Sequence, residues 1–161
     1  MSWSLLVPAI VSLMGVQNTV RAEHPKFSDF PAPTPAAGVL QRVDLSSDPK
    51  VNLFRTRLRE AIGQPPDFAG FYRIVTWGSG TMAQTTAMID VRDGRVIFAP
   101  FTSLLGVEYR ANSRLLIENP PNEIQAYIKD SDQPKPSWLN TAYWVWEEPK
   151  RSFRQLTSIG K

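Results

Sequence analysis

The chain has no cysteine and only one histidine, His24, in 161 residues. The first absence excludes disulfides, thiol nucleophiles, haem thioethers and zinc–thiolate sites, so stability has to come from the core alone. The second leaves any serine nucleophile without its usual base. His24 falls in a proline-rich stretch close to a processed amino terminus, where a solvated tail is the ordinary role. Excess charge is scarce as well. Lys and Arg number 18 against 15 Asp and Glu, giving a net charge of +3, with the bases spread between acids. A nucleic-acid binder concentrates its bases on one face, so nucleic-acid binding is not implied.

Long hydrophobic runs are also missing. Leu5 to Val16 is apolar but falls short of the roughly 20 residues that a membrane-spanning helix needs. It is followed by Val20-Arg21-Ala22, a small-x-small cleavage signature, so residues 1–22 read as a signal peptide, although Met1 to Ser4 contain no Lys or Arg. The expectation is an exported protein, periplasmic or extracellular, without a stable membrane span after cleavage. About 140 residues then remain, a common size for one domain.

Residues 23–41 hold Pro25, Pro31, Pro33 and Pro35 with few large apolar side chains, which predicts an extended arm. Residues 42–161 form the single domain. Its first element is a predicted helix with Asp48 as N-cap, Pro49 in the first turn, and Gly63, Pro65 and Pro66 at its end. Val51, Phe54, Leu58, Ala61 and Ile62 make its apolar stripe. Arg55, Arg59 and Glu60 face water, with Arg57 at the margin. The arginines are either a patch for an anionic partner or an ordinary solvated face.

The longest β-branched and aromatic segments follow. Phe71 to Trp77 alternates with apolar residues on both faces, which predicts a central strand covered on both sides. Gly78-Ser79-Gly80-Thr81 breaks it, and the strand pattern returns from Met82 to Val91. Asp93-Gly94 favours a two-residue type I′ turn into Val96-Ile97-Phe98. Pro100 to Gly106 reads as a linker, Val107 to Arg110 and Arg114 to Glu118 as a hairpin, and Ile124, Tyr127 and Ile128 as one or two helical turns. Asp130 to Ser137 reads as an exposed loop, and Thr141 to Glu147 and Ser152 to Leu156 as a last strand pair. The predicted fold is α+β: an antiparallel meander of about seven strands, as a curved sheet or small sandwich, with one amphipathic helix packed on it.

Chemistry is sparse in this pattern. Ser79 lacks the Gly-x-Ser-x-Gly setting of a nucleophile elbow, because Trp77 and Thr81 occupy the flanking positions. Asp67, Asp90, Glu108, Glu118 and Glu147 lie at or near strand ends and could supply a carboxylate pair for glycoside hydrolysis if two flank one bond. No acid spacing resembles a calcium loop. Neither a metal nor a cofactor is expected. Trp77, Trp138, Tyr143, Trp144 and Trp146 either form core or present a recognition surface, and Trp77 abuts the glycine loop.

The segment from Asp67-Phe68-Ala69-Gly70-Phe71-Tyr72 through Thr76-Trp77-Gly78-Ser79-Gly80 to Gln84 resembles a group of small exported bacterial proteins of uncharacterised function. That group carries Asn/Asp-Phe-Ala-Gly-x-Tyr followed by Thr-Trp-Gly-Cys-Gly and a second cysteine before Gln. Gly106 to Ile117, and Tyr143, Trp146, Phe153 and Leu156, look similar too, so the resemblance covers about the last two-thirds of the chain. Ser79 and Ala83 stand where the group has its cysteines, which implies that those cysteines are structural and dispensable. The resemblance implies export and a β-rich fold but carries no activity. These features together favour a non-enzymatic binding or inhibitor-like module of the bacterial envelope, with an envelope protein or glycan as partner. Its expected contact residues are Arg73, Trp77, Gly78, Ser79, Gly80, Thr81 and Met82. The alternative is a small envelope hydrolase using acids such as Asp67 and Glu108.

Overall fold

Alternating apolar residues in Tyr72–Gly78 (β1) and Gln84–Asp90 (β2) give both strands two buried faces, and this organises the molecule. The computed structural model describes residues 24–80, 82–131 and 134–157, so the expected signal peptide lies outside the described residues. β1, β2 and Val96–Ser103 (β3) form an antiparallel sheet in that order. Val107–Tyr109 (β4), Leu115–Glu118 (β5), Ala142–Glu147 (β6) and Ser152–Leu156 (β7) form a second antiparallel sheet, again in chain order. With two short helices, Arg55–Arg59 (α1) and Pro121–Ser131 (α2), the fold is the expected α+β class, its seven strands divided three and four.

The register pairs Tyr72 with Asp90 and Ile74 with Met88, so these four side chains share the face that meets the second sheet. Phe68, Tyr72, Ile74, Met88, Leu116 and Trp146 are buried there, with Phe101, Trp144 and Phe153 against them. Trp146 lies edge-on to Tyr72 at 5.1 Å, and Trp144 stacks on Phe101 at 5.0 Å. Trp144 and Trp146 are therefore core. On the opposite face of the first sheet, Ala87 and Ile89 pack beneath Leu40, Val51, Leu58 and Ala61. The outer face of the second sheet buries Leu115, Ile117 and Val145 under Phe27 and Phe30 of the arm.

The arm is tied down where it crosses the domain. Ala32 and Ala36 donate their amides to the Asn112 and Gly70 carbonyls, and the Ser113 hydroxyl reaches the Phe27 and Phe30 carbonyls. His24 stacks beside Tyr143 at 6.0 Å.

Four local expectations need correction. The predicted Pro49 to Ile62 helix is a 3₁₀ turn, Val51–Phe54, followed by the five-residue α1, because Phe54 leaves helical geometry at φ −115°, ψ 15°. The Phe54 ring meets Trp77 at 4.8 Å, a contact that outweighs the helical spacing. Asp93-Gly94 does not make a type I′ turn: only Gly94 takes positive φ, and the loop spans residues 91–94. The Asp90 carboxylate accepts the Arg92 amide, and a Cβ at Gly94 would stand 2.5 Å from the Arg42 carbonyl oxygen. β3 runs through to Ser103, leaving little of the expected linker, because Thr102 and Ser103 pair with Thr85 and Gln84. α2 extends into the expected loop as far as Ser131.

The two sheets are joined at one end by charge. Asp90 is 1% exposed, and its carboxylate accepts hydrogen bonds from Arg92 at 2.7 and 2.8 Å and from Arg151 at 3.0 Å. Arg92 also donates to Glu148 at 2.8 Å, while the Tyr72 hydroxyl and the Trp146 indole each donate to Glu148 at 2.7 Å. Burial alone would push the Asp90 carboxyl up. The Arg92 hydrogen bonds and the charges of Arg92 and Arg151 outweigh it and hold Asp90 below its ordinary value. Glu148 is lowered against the same opposition, chiefly by Arg92 and Trp146. Asp90→Ala leaves two guanidiniums without their shared acceptor. It is expected to cost roughly 3 kcal/mol in urea denaturation at neutral pH, the low end for broken buried pairs because both arginines partly contact water.

Candidate functional site

The β1–β2 connection is short and exposed at its tip. Gly78 pairs with Gln84, and both the Ser79 amide and hydroxyl donate to the Ala83 carbonyl at 2.9 Å. That hydroxyl is a loop brace, with no imidazole beside it. Gly80 sits at φ +88°, where a side chain would be strained, whereas Gly78 has ordinary φ and open space around it. Gly78, Ser79, Gly80 and Met82 are exposed, Met82 by 54%. Thr81 lies outside the described residues.

Trp77 forms the base of this loop. Its ring lies 4.8 Å from Phe54 and 6.3 Å from Phe98, and its indole nitrogen is buried without a hydrogen-bond partner among the described residues. Arg73 belongs elsewhere. Four residues back along the strand puts it about 13 Å from Trp77, and its guanidinium pairs with Asp67 at 2.9 Å. The structure therefore groups Trp77, Gly78, Ser79, Gly80 and Met82 and leaves Arg73 out.

The strand-end acids do not converge as one set. Asp67 accepts from the Ile74 amide at 2.8 Å and the Tyr109 hydroxyl at 3.4 Å. Burial pushes Asp67 up despite Arg73, and burial followed by the Asp67 charge pushes Tyr109 up to about 12. Glu108 precedes Tyr109 in β4, so its side chain projects from the opposite face. It lines a different, open cleft of about 260 Å³ with Glu123. Glu118 accepts from the Trp144 indole at 2.9 Å, and burial raises its carboxyl. Glu147 is held low by Lys150 and Arg154, and Asp90 is enclosed by its two arginines. Among the described residues, no three His, Cys, Asp or Glu side chains could hold a metal, and no helix is long and apolar enough to cross a membrane.

Two features were not anticipated from sequence. The inter-sheet ion network joins residues up to 76 positions apart, and no local pattern announces it. Leu53 is 77% exposed, and its signal was available, since it falls off the Val51, Phe54, Leu58 and Ala61 stripe.

Trp77→Ala removes an aromatic wedge and is expected to lower stability by about 3 kcal/mol in urea denaturation. Met82→Ala, at the exposed tip, is expected to stay within about 0.5 kcal/mol of the parent. Glu118 gives a pH signature. Its raised pKa contributes stability below the ordinary value of 4.5, and that contribution is lost as pH rises through the folded-state pKa. Glu118→Gln keeps an acceptor for Trp144 and cannot titrate. The parent's stability relative to this variant should therefore fall as pH rises past the ordinary value of 4.5 and level off once the folded-state carboxyl is ionised, a difference read from paired denaturation curves.

Comparison of the chain with family models, with curated proteins and with solved structures finds no match to any of the three.

Proposed function

We propose that this chain is an exported, non-enzymatic binding or inhibitor-like module of the bacterial envelope, engaging its partner through the tip of the β1–β2 hairpin. The observation that carries the reading is an exposed tip at Gly78, Ser79, Gly80 and Met82 on a base locked by Trp77, Phe54 and Phe98. A tip anchored in this way loses little conformational freedom on docking, so more of its contact energy goes into affinity. The carboxylates weigh in the same direction, because Asp67, Asp90, Glu118, Glu147 and Glu148 are each engaged by neighbouring donors.

One observation favours a second reading, an envelope hydrolase: Glu108 and Glu123 line the same open cleft. A general acid and its partner carboxylate have to flank one substrate bond in this way.

Capture from an envelope extract separates the two, with the parent protein compared to Met82→Ser and to Glu108→Gln combined with Glu123→Gln. The binding reading expects Met82→Ser, folded by circular dichroism, to lose at least about tenfold of a captured partner, the scale set by one buried apolar anchor. It also expects the double Gln variant to keep that partner. Turnover of an envelope polymer by the parent, abolished in the double Gln variant, would replace this reading with the hydrolase.

A further inference from the structure

The outer surface around α1 concentrates charge that the overall composition hides. Between Lys50 and Ile62 stand four bases, Lys50, Arg55, Arg57 and Arg59, against one acid, Glu60, so this stretch alone accounts for the +3 of the whole chain. All five side chains are exposed. Glu60 is taken up by Arg57 at 3.4 Å, and Lys50, Arg55 and Arg59 have no acidic partner among the described residues. The core-facing side of the same stretch is complete without further apolar residues, since Val51, Leu58 and Ala61 are buried and Phe54 packs on Trp77.

Leu53 is therefore not needed by the core, yet at 77% it is the most exposed large apolar side chain among the described residues. Ile62, 42% exposed, stands at the far end of the same basic surface. Leu53 directly precedes Phe54, and Phe54 packs on Trp77, so the basic stretch covers the first sheet on the side of Trp77. Single apolar side chains thus project from a field of unpaired cations.

We propose that this surface docks the protein on anionic lipid bilayers, with Arg55, Arg59 and Lys50 at the headgroup phosphates and Leu53 entering the acyl boundary. Bases attract an anionic leaflet within a Debye length, and apolar side chains on the same face add buried area. A protein partner is the less favoured occupant. Protein interfaces are marked by contiguous apolar patches of several hundred Å², whereas here the apolar side chains stand apart, and a fluid bilayer accommodates isolated projections without a matching pocket. The inference goes beyond the hairpin-tip reading and does not depend on Met82.

The test is sedimentation of the full chain with vesicles of phosphatidylglycerol and phosphatidylcholine, compared with phosphatidylcholine alone, at low and high salt. At least about tenfold stronger partitioning onto the anionic vesicles is expected, weakening as salt screens the arginines. Arg55→Glu with Arg59→Glu should abolish it, and Arg55→Lys with Arg59→Lys should retain it. Leu53→Ser should lose roughly tenfold at unchanged salt dependence. Each variant is checked by its denaturation midpoint, and Leu53 and the arginines are exposed enough to leave folding intact. Equal partitioning onto neutral vesicles, no binding by the folded parent, or binding indifferent to the Glu variants would overturn the proposal. If vesicles are ignored while capture through Met82 persists, the lipid assignment fails and the binding-module reading stands with a protein partner. If vesicles are bound through Arg55, Arg59 and Leu53 but nothing depends on Met82, the lipid surface stands and the hairpin-tip reading fails.

Discussion

The carboxylate of Asp90 is the constraint on which the two-sheet arrangement depends. It is taken out of water at the end of β2, and an ionised acid there is tolerated only because Arg92 and Arg151 bring compensating charge. Arg151 comes from the β6–β7 turn of the second sheet and reaches Asp90 from a left-handed backbone position, φ 48°. Glu148, in the same turn, completes the circuit through Arg92, Tyr72 and Trp146. Sliding one sheet across the other would leave several of these groups unsatisfied together. The apolar interlayer supplies the drive to pack, and the ion network selects the relative placement of the layers.

The opposite end of the first sheet is held differently. There Trp77 is wedged against Phe54 and Phe98 on the helix side, while Gln84, Ser103 and Glu118 line the interlayer side near Gly106. The hydroxyls of Thr86 and Ser103 and the indole nitrogen of Trp77 are buried without partners among the described residues. Buried donors without acceptors cost stability, and the Nε atoms of Arg73 and Arg151, towards the Asp90 end, carry the same cost.

The strands were legible in the sequence because alternation and β-branching are local signals. Phe71 to Trp77 showed apolar residues on both faces, and the structure covers both. Trp144 and Trp146 shared a face, and that face is the interlayer. The helix was read too long because Val51, Phe54, Leu58 and Ala61 do recur at helical spacing, while the departure at Phe54 depends on Trp77, distant in sequence. The Asp93-Gly94 turn was misread for a related reason: Asp90 draws the Arg92 amide to its side chain, and Arg42 packs against Gly94. Of the residues expected at the hairpin tip, most do lie together, but Arg73 was grouped with them by proximity in sequence alone. Its carboxylate partner, Asp67, takes it to the other end of β1.

The acids show why a shifted carboxyl is weak evidence for catalysis in this molecule. Asp90 and Glu148 are driven down by arginines that come to them across the layers, whereas Asp67 and Glu118 are driven up by burial that their neighbours only partly offset. Raised carboxyls are what a general acid requires. Here, however, one is occupied by Arg73, Tyr109 and the Ile74 amide, and the other receives the Trp144 indole beside the Phe101 ring. Each shift is accounted for by packing between the sheets, with no open volume required beside it. Glu108 and Glu123 line an open cleft to which neither Asp67 nor Glu118 contributes. Asp67 and Glu118 are thus engaged by neighbouring donors away from that cleft, so their raised values by themselves mark packing between the sheets and not a general acid placed beside a substrate.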